Sequence, residues 1–240
     1  MPWWLPIAIV VSTVFSLWML FPKSYLEQTL SAQKTPNAAS LAYLHLLVRA
    51  NPKDNTLRLK LADMALAAQN ASLAHSALGP WMHSPLRGLA LPIAQARLRL
   101  LRLELLSTPL HTPTRDKLQQ QYIHSLTQIA AHLSPLQLLN EAGFAIQLGD
   151  YASAACLDRR ILETGTASSL RLKAYQQGID ALLAADEPRA ALAFARAYLN
   201  RVPRNEVLWR RLTRLALAAN RPDLAVRYAR RLVGLPEPAG

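Results

Sequence analysis

The chain reads as an all-α protein, an α-solenoid of stacked antiparallel helix pairs behind an apolar N-terminal segment. Three observations predict this. A 34-residue period runs through the C-terminal part of the chain. Leu and Ala dominate a sequence with only 8 Gly and 7% aromatic residues, a composition that suits helices better than Gly-turned sheets. Beyond residue 36, Pro, Gly, Asn and Asp punctuate one helical stretch after another. With 51% hydrophobic residues in 240, such a body can bury a sizeable core.

The first element spans Trp3 to Phe21, WWLPIAIVVSTVFSLWMLF, which holds no charge. At about 1.5 Å per residue it spans roughly 28 Å, close to a bilayer's hydrocarbon core. Trp3, Trp4 and Trp18 lie near its ends, where indoles favour the interface, and Pro22 and Lys23 close it. Residues 1–22 are therefore expected to be an uncleaved transmembrane anchor. The rival, a cleaved signal peptide, wants a basic leading region, a shorter apolar stretch and an A-x-A site; here only the terminal amine and weak positions at Ser24 or Ala32 serve. Residues 23–36 form a juxtamembrane linker, and residues 37–240 the repeat domain. Flanking charges Lys23, Glu27 and Lys34 barely orient the segment.

Within the body, residues 37–52 read as a lone second helix ending in Asn51-Pro52. Residues 55–84 supply a pair, LRLKLADMALAAQ followed by Ser72 to Trp81, with Ala74 at a small position 34 beyond Ser40. Residues 92–133 are least regular: helices near 93–106 and 114–133 flank the Pro109 to Pro113 loop, and read as a degenerate repeat. Residues 135–165 carry the inter-helix turn LGDY, Leu148 to Tyr151, then Ala154. The last two pairs align without gaps, from Ala174 and from Leu208: Tyr175 falls on Trp209, Leu182 on Ala216, Pro188 on Pro222, Ala191 on Ala225 and Tyr198 on Leu232. A bulky residue early in the first helix fills the pair, so Tyr175 and Trp209 should be largely buried. A small one early in the second, Ala191 or Ala225, lets the helices approach, and Pro203 stops the second helix. This spacing is similar to tetratricopeptide repeats, which implies pairs stacked in a right-handed superhelix whose first helices line a concave face. A plain helical bundle is the competing reading.

Charge and chemistry narrow the function. The net charge is +12, from 27 Lys and Arg against 15 Asp and Glu. The excess is spread over helix faces and densest towards the C-terminus, without a polybasic block or an aromatic RNA-binding signature, so nucleic acid is an unfavoured partner. No Walker loop, GxSxG, GxGxxG or HExxH is present, so no enzyme, cofactor or metal site is expected. His124 and His132, two turns apart, suit a surface or packing role, and the single Cys156, after Ala154-Ala155, reads as a buried structural thiol.

SLAYLHLLVRANPKDNTLRLKLADMALA, Ser40 to Ala67, directly after an apolar N-terminal segment, resembles the start of the periplasmic repeat region of PelB-type exopolysaccharide export proteins; ALAANRPDLAVRYARRLV resembles its later repeats. The resemblance implies an inner-membrane, single-pass protein whose repeats face the periplasm. It also implies a scaffold for partner proteins such as polysaccharide-modifying or export machinery. The family's outer-membrane β-barrel has no counterpart in these 240 residues, which show no alternating strands. The polymer of that pathway is cationic, which a basic scaffold would repel, so a protein partner is expected. The alternative is a soluble or cytoplasm-facing adaptor whose basic surface binds an acidic partner or anionic lipid.

Carrying the inward positions of the resembled repeat onto the two best pairs gives Lys173, Gln176, Asp180 and Leu183, then Val207, Arg210, Arg214 and Leu217. Lys173, Gln176, Asp180, Arg210 and Arg214 are the candidate binding residues; an ion pair between Asp180 and Arg214 across adjacent helices is the competing structural role. Arg227 and Arg230, on the last helix, are expected to lie off this face.

Overall fold

In the computed structural model, residues 37–235 are described. The expected anchor and linker, residues 1–36, lie outside them. Eleven α-helices and four short 3-10 turns, with no strand, make up the described chain. No helix among the described residues is long and apolar enough to cross a membrane. The chain divides into two compact units between Thr108 and Pro109. That boundary falls in the loop between the two helices expected to form one degenerate repeat.

The first unit holds α1 (Ala38–Ala50), α2 (Asn55–Ala67), α3 (Ala71–Leu78) and α4 (Leu91–Ser107). Each start has a local cause. Asn37 and Ser40 exchange side-chain and backbone hydrogen bonds in a capping box. Asp54 accepts from the Thr56 and Leu57 amides, and Asn70 from Leu73. Leu44, Val48, Leu61, Ala74, Leu78 and Leu100 are buried in one core drawn from all four helices. Arg97 of α4 ties down the preceding loop by donating to the carbonyls of Trp81 (3.0 Å), Met82 (2.9 Å) and Ser84 (2.6 Å).

The second unit holds α5 (Pro113–Ile129), α6 (Pro135–Gln147), α7 (Tyr151–Glu163), α8 (Ser168–Ala184), α9 (Pro188–Tyr198), α10 (Glu206–Ala218) and α11 (Pro222–Leu232). Consecutive helices pack side by side: α6 on α7, α7 on α8, α8 on α9, α9 on α10 and α10 on α11.

One turn recurs inside the pairs α2–α3, α6–α7, α8–α9 and α10–α11. A residue with positive φ follows the first helix: Gln69 (56°), Gly149 (77°), Asp186 (58°) and Asn220 (55°). The next amide reaches back five residues, Asn70 to Ala65 (2.8 Å), Asp150 to Ala145 (2.9 Å), Glu187 to Leu182 (2.9 Å) and Arg221 to Ala216 (2.8 Å). This Schellman closure satisfies the last carbonyls of one helix, and the second helix starts at the following residue. Four residues after each closing amide stands an alanine, Ala74, Ala154, Ala191 or Ala225, and all four are buried. The turn sets the rotation of the second helix, and the alanine lets it approach the first.

The pair α8–α9 shows how tight that approach is. The Tyr175 hydroxyl donates to the Ala195 carbonyl at 2.9 Å, and the Phe194 ring lies over Gly178. Tyr175 is fully buried, as expected, whereas Trp209 is only half-buried. Its indole stacks on Tyr228 and lies under the Arg231 guanidinium, 5.0 Å from the ring centroid. The difference is that α8 packs against α6, α7 and α9, while α10 packs against α9 and α11 and no further described helix pair lies against them.

Cys156 is a second correction: it is exposed. The buried face of α7 comprises Ala154, Ala155, Leu157, Asp158, Ile161 and Leu162. Residue 156 falls on the opposite side of the helix, and the polar residue that turns inward is Asp158.

Candidate functional site

Helices α8 and α10 lie two apart in the chain and share the residues of one open groove of about 600 Å³. Ile179, Asp180 and Leu183 of α8 form one wall; Val207, Arg210, Arg211, Arg214, Leu215 and Ala218 of α10 form the other. The register explains the assembly. Both helices end 34 residues apart and enter the same turn, so equivalent faces point the same way. Leu183, Val207 and Leu217 are all exposed, although each is a large apolar side chain.

Of the five candidate residues, Asp180, Arg210 and Arg214 line the groove. Gln176 is half-buried and reaches it through its backbone carbonyl, which accepts from Arg211 at 3.2 Å. Lys173 is exposed and outside the lining. The expected Asp180–Arg214 pair does not form. Asp180 accepts instead from Arg211, and Arg210 pairs with Glu206 one turn back on its own helix. Arg214 has no carboxylate partner among the described residues. Arg211 was missed because position six of the repeat is not among the inward positions carried over; its long stem lets the head cross to α8.

Two further concavities mark the second-helix side. Ile123, Leu126, Thr127 and Ala130, with Ala152, Cys156, Leu157 and Arg160, line a largely apolar groove of about 740 Å³ between α5 and α7. A smaller cleft of about 350 Å³ collects Arg189 and Arg196 of α9 with Arg221 before α11. Arg221 is clipped to Asp223 at 3.0 and 2.8 Å, which holds that carboxyl down at about pKa 2.

Asp158 is the other feature that sequence reading passed over. Its side chain is fully buried, and neither carboxyl oxygen has a hydrogen-bond partner among the described residues. Burial without compensation pushes its pKa up to about 8. The Arg171 Nε is likewise buried without a hydrogen-bond partner. No group of three or more His, Cys, Asp or Glu among the described residues could hold a metal ion.

No protein-family model matches the chain, and no curated protein matches it.

Proposed function

We propose that this protein is a non-catalytic, membrane-tethered scaffold for protein–protein interaction. Its body is a tetratricopeptide-like solenoid whose concave side includes the α8–α10 groove. The carrying observation is the groove itself: exposed Leu183 and Val207 sit among arginines, one of which, Arg214, lacks a carboxylate partner among the described residues. An apolar floor with a cationic rim suits a peptide segment that brings both apolar and acidic side chains. The four recurring turns support the repeat reading. Trp3 to Phe21 supplies the anchor, which raises the local concentration of any partner confined to the membrane. The resemblance to PelB-type proteins supports a periplasmic position for the repeats, with a role in exopolysaccharide export and biofilm assembly.

The test is photo-crosslinking in cells from position 207, within the groove, combined with a periplasm-active reporter at the C-terminus. The reading expects reporter activity and crosslinks to envelope proteins that Arg210→Glu with Arg214→Glu abolishes. Reporter activity confined to the cytoplasm would overturn the placement. Crosslinks insensitive to the two reversals would overturn the groove.

The adaptor reading draws on the cleft of Arg189, Arg196 and Arg221, which suits an anionic partner or lipid surface. It expects Arg189→Glu with Arg196→Glu to abolish association while the groove variants leave it intact.

A further inference from the structure

The 34-residue register allows the molecule to be compared with itself. Helix α10 follows and packs on α9, whereas no described element follows and packs on α11. Leu192 of α9 is 4% exposed, while its equivalent Val226 of α11 is 56% exposed. Ala195 is fully buried and its equivalent Ala229 is half-exposed. Leu199 is half-buried and its equivalent Val233 is 67% exposed. On the first helices, Leu183 (39% exposed) and its equivalent Leu217 (59% exposed) both face solvent, so the contrast is carried by the second helices. Val226, Ala229 and Val233 fall at the i, i+3, i+7 spacing of a single helical stripe. Faces of such arrays that meet water are polar. The described outer face of α11 carries an apolar stripe.

Charge says what would cover it. In the inner repeat, Asp180 of α8 presents a carboxylate to Arg211 of the next first helix. At the outer repeat the position of Asp180 is taken by Arg214, which has no carboxylate partner among the described residues. The polarity is reversed, so a helix seated there must offer a carboxylate where α10 offers Arg211. Arg227 is exposed beside the stripe, and Arg230 and Arg231 follow on the same helix. A second copy of α11 would bring like charges together, which disfavours self-pairing.

We propose that Arg214, Leu217, Val226, Ala229 and Val233 form a docking face for an acidic amphipathic helix of a partner protein. That helix sits on α10–α11 as α10 sits on α8–α9, with its carboxylate on Arg214. Because Arg214 also lines the α8–α10 groove, Val226 and Val233, which do not, carry the test.

The probe is a synthetic peptide of residues 205–218, held helical by a staple on its outer face, made with Arg211 and with Arg211→Glu. Binding to the full chain is followed by fluorescence anisotropy at low salt. The Glu peptide should bind at least about fivefold more tightly, and Arg214→Glu in the chain should invert that preference. Val226→Ser with Val233→Ser should weaken binding about tenfold or more. Circular dichroism checks that these exposed substitutions leave the fold intact. Arg210→Glu, confined to the groove, should leave peptide binding unchanged; if it abolishes binding while the valine pair does not, the peptide occupies the groove and the end face is refuted. Equal binding of the two peptides also overturns the proposal. So does a chain that sediments as a dimer dissolved by the valine substitutions, since the occupant is then a second copy.

Discussion

Asp180 of α8 holds the guanidinium of Arg211 on α10, and the same guanidinium donates to the Gln176 carbonyl at 3.2 Å. One side chain thus joins two first helices at adjacent repeats. The Asp180 side chain is 63% exposed, so solvent screens most of the attraction. Asp180→Ala should cost about 0–1 kcal/mol in urea denaturation. A loss well above that would mean the link is structural in a way its exposure does not explain.

Ala191 and Ala225 stand where their helix pairs approach most closely, and both are buried. Replacing either with Leu adds volume that no neighbour can vacate and should cost roughly 1–3 kcal/mol. Thermal unfolding measures this. An unchanged melting temperature for Ala191→Leu would show that the pair is looser than its packing indicates.

A Cβ at Gly178 would lie 2.6 Å from Phe194 Cζ and 2.9 Å from Cε1. The ring cannot swing aside easily, because it is buried between Tyr175 and Tyr198. Gly178→Ala would gain about 1 kcal/mol of helix propensity, but overpacking should outweigh it, for a net loss of about 1–2 kcal/mol. Adding Phe194→Leu should make the alanine better tolerated, which a double-mutant cycle would detect.

Asp158 makes stability depend on pH. Its folded-state pKa is about 8, against an ordinary value of 3.8, so the folded chain binds a proton that the unfolded chain releases. The contribution is fully present below about pH 4 and is lost as pH rises through about 8. Other carboxylates favour the opposite trend at acid pH, so the signature is the slope between pH 5 and 8. Asp158→Asn, which carries no ionisable proton, should raise the melting temperature at pH 8 and flatten that slope. A slope unchanged in the variant would show that Asp158 is not its source.

Gln69 adopts the left-handed conformation that glycine holds at the equivalent Gly149. Gln69→Gly removes a backbone penalty of about 1 kcal/mol and loosens the unfolded chain, for a net gain of a few tenths to 1 kcal/mol. Chemical denaturation would measure it, and a loss of stability would indicate that the Gln69 side chain contributes more than its turn position suggests.

Much of the helical architecture is legible in the sequence because it is encoded locally and repeated. Tyr175 and Trp209, Ala191 and Ala225, Asp186 and Asn220 recur 34 residues apart, and the turns and close approaches follow from those residue types. Asp180, Arg210 and Arg214 were legible as residues of one face because the inward positions of the resembled tetratricopeptide repeat carry over at the 34-residue period, and all three line the groove. What period cannot assign is a partner. Arg211 reaches Asp180 where Arg214 does not, because a long side chain chooses among several acceptors only after two helices from different repeats are docked.

The sequence by itself determined that the described residues are helical, that α2–α3, α6–α7, α8–α9 and α10–α11 form adjacent pairs, and which small residues permit it, since these depend on neighbours within one pair. The tertiary structure alone decided that Cys156 faces out while Asp158, two residues and about 200° further round the helix, faces in, which composition leaves ambiguous. It also decided that Val226 is exposed while Leu192 is covered, because burial there depends on whether another repeat stacks against the helix.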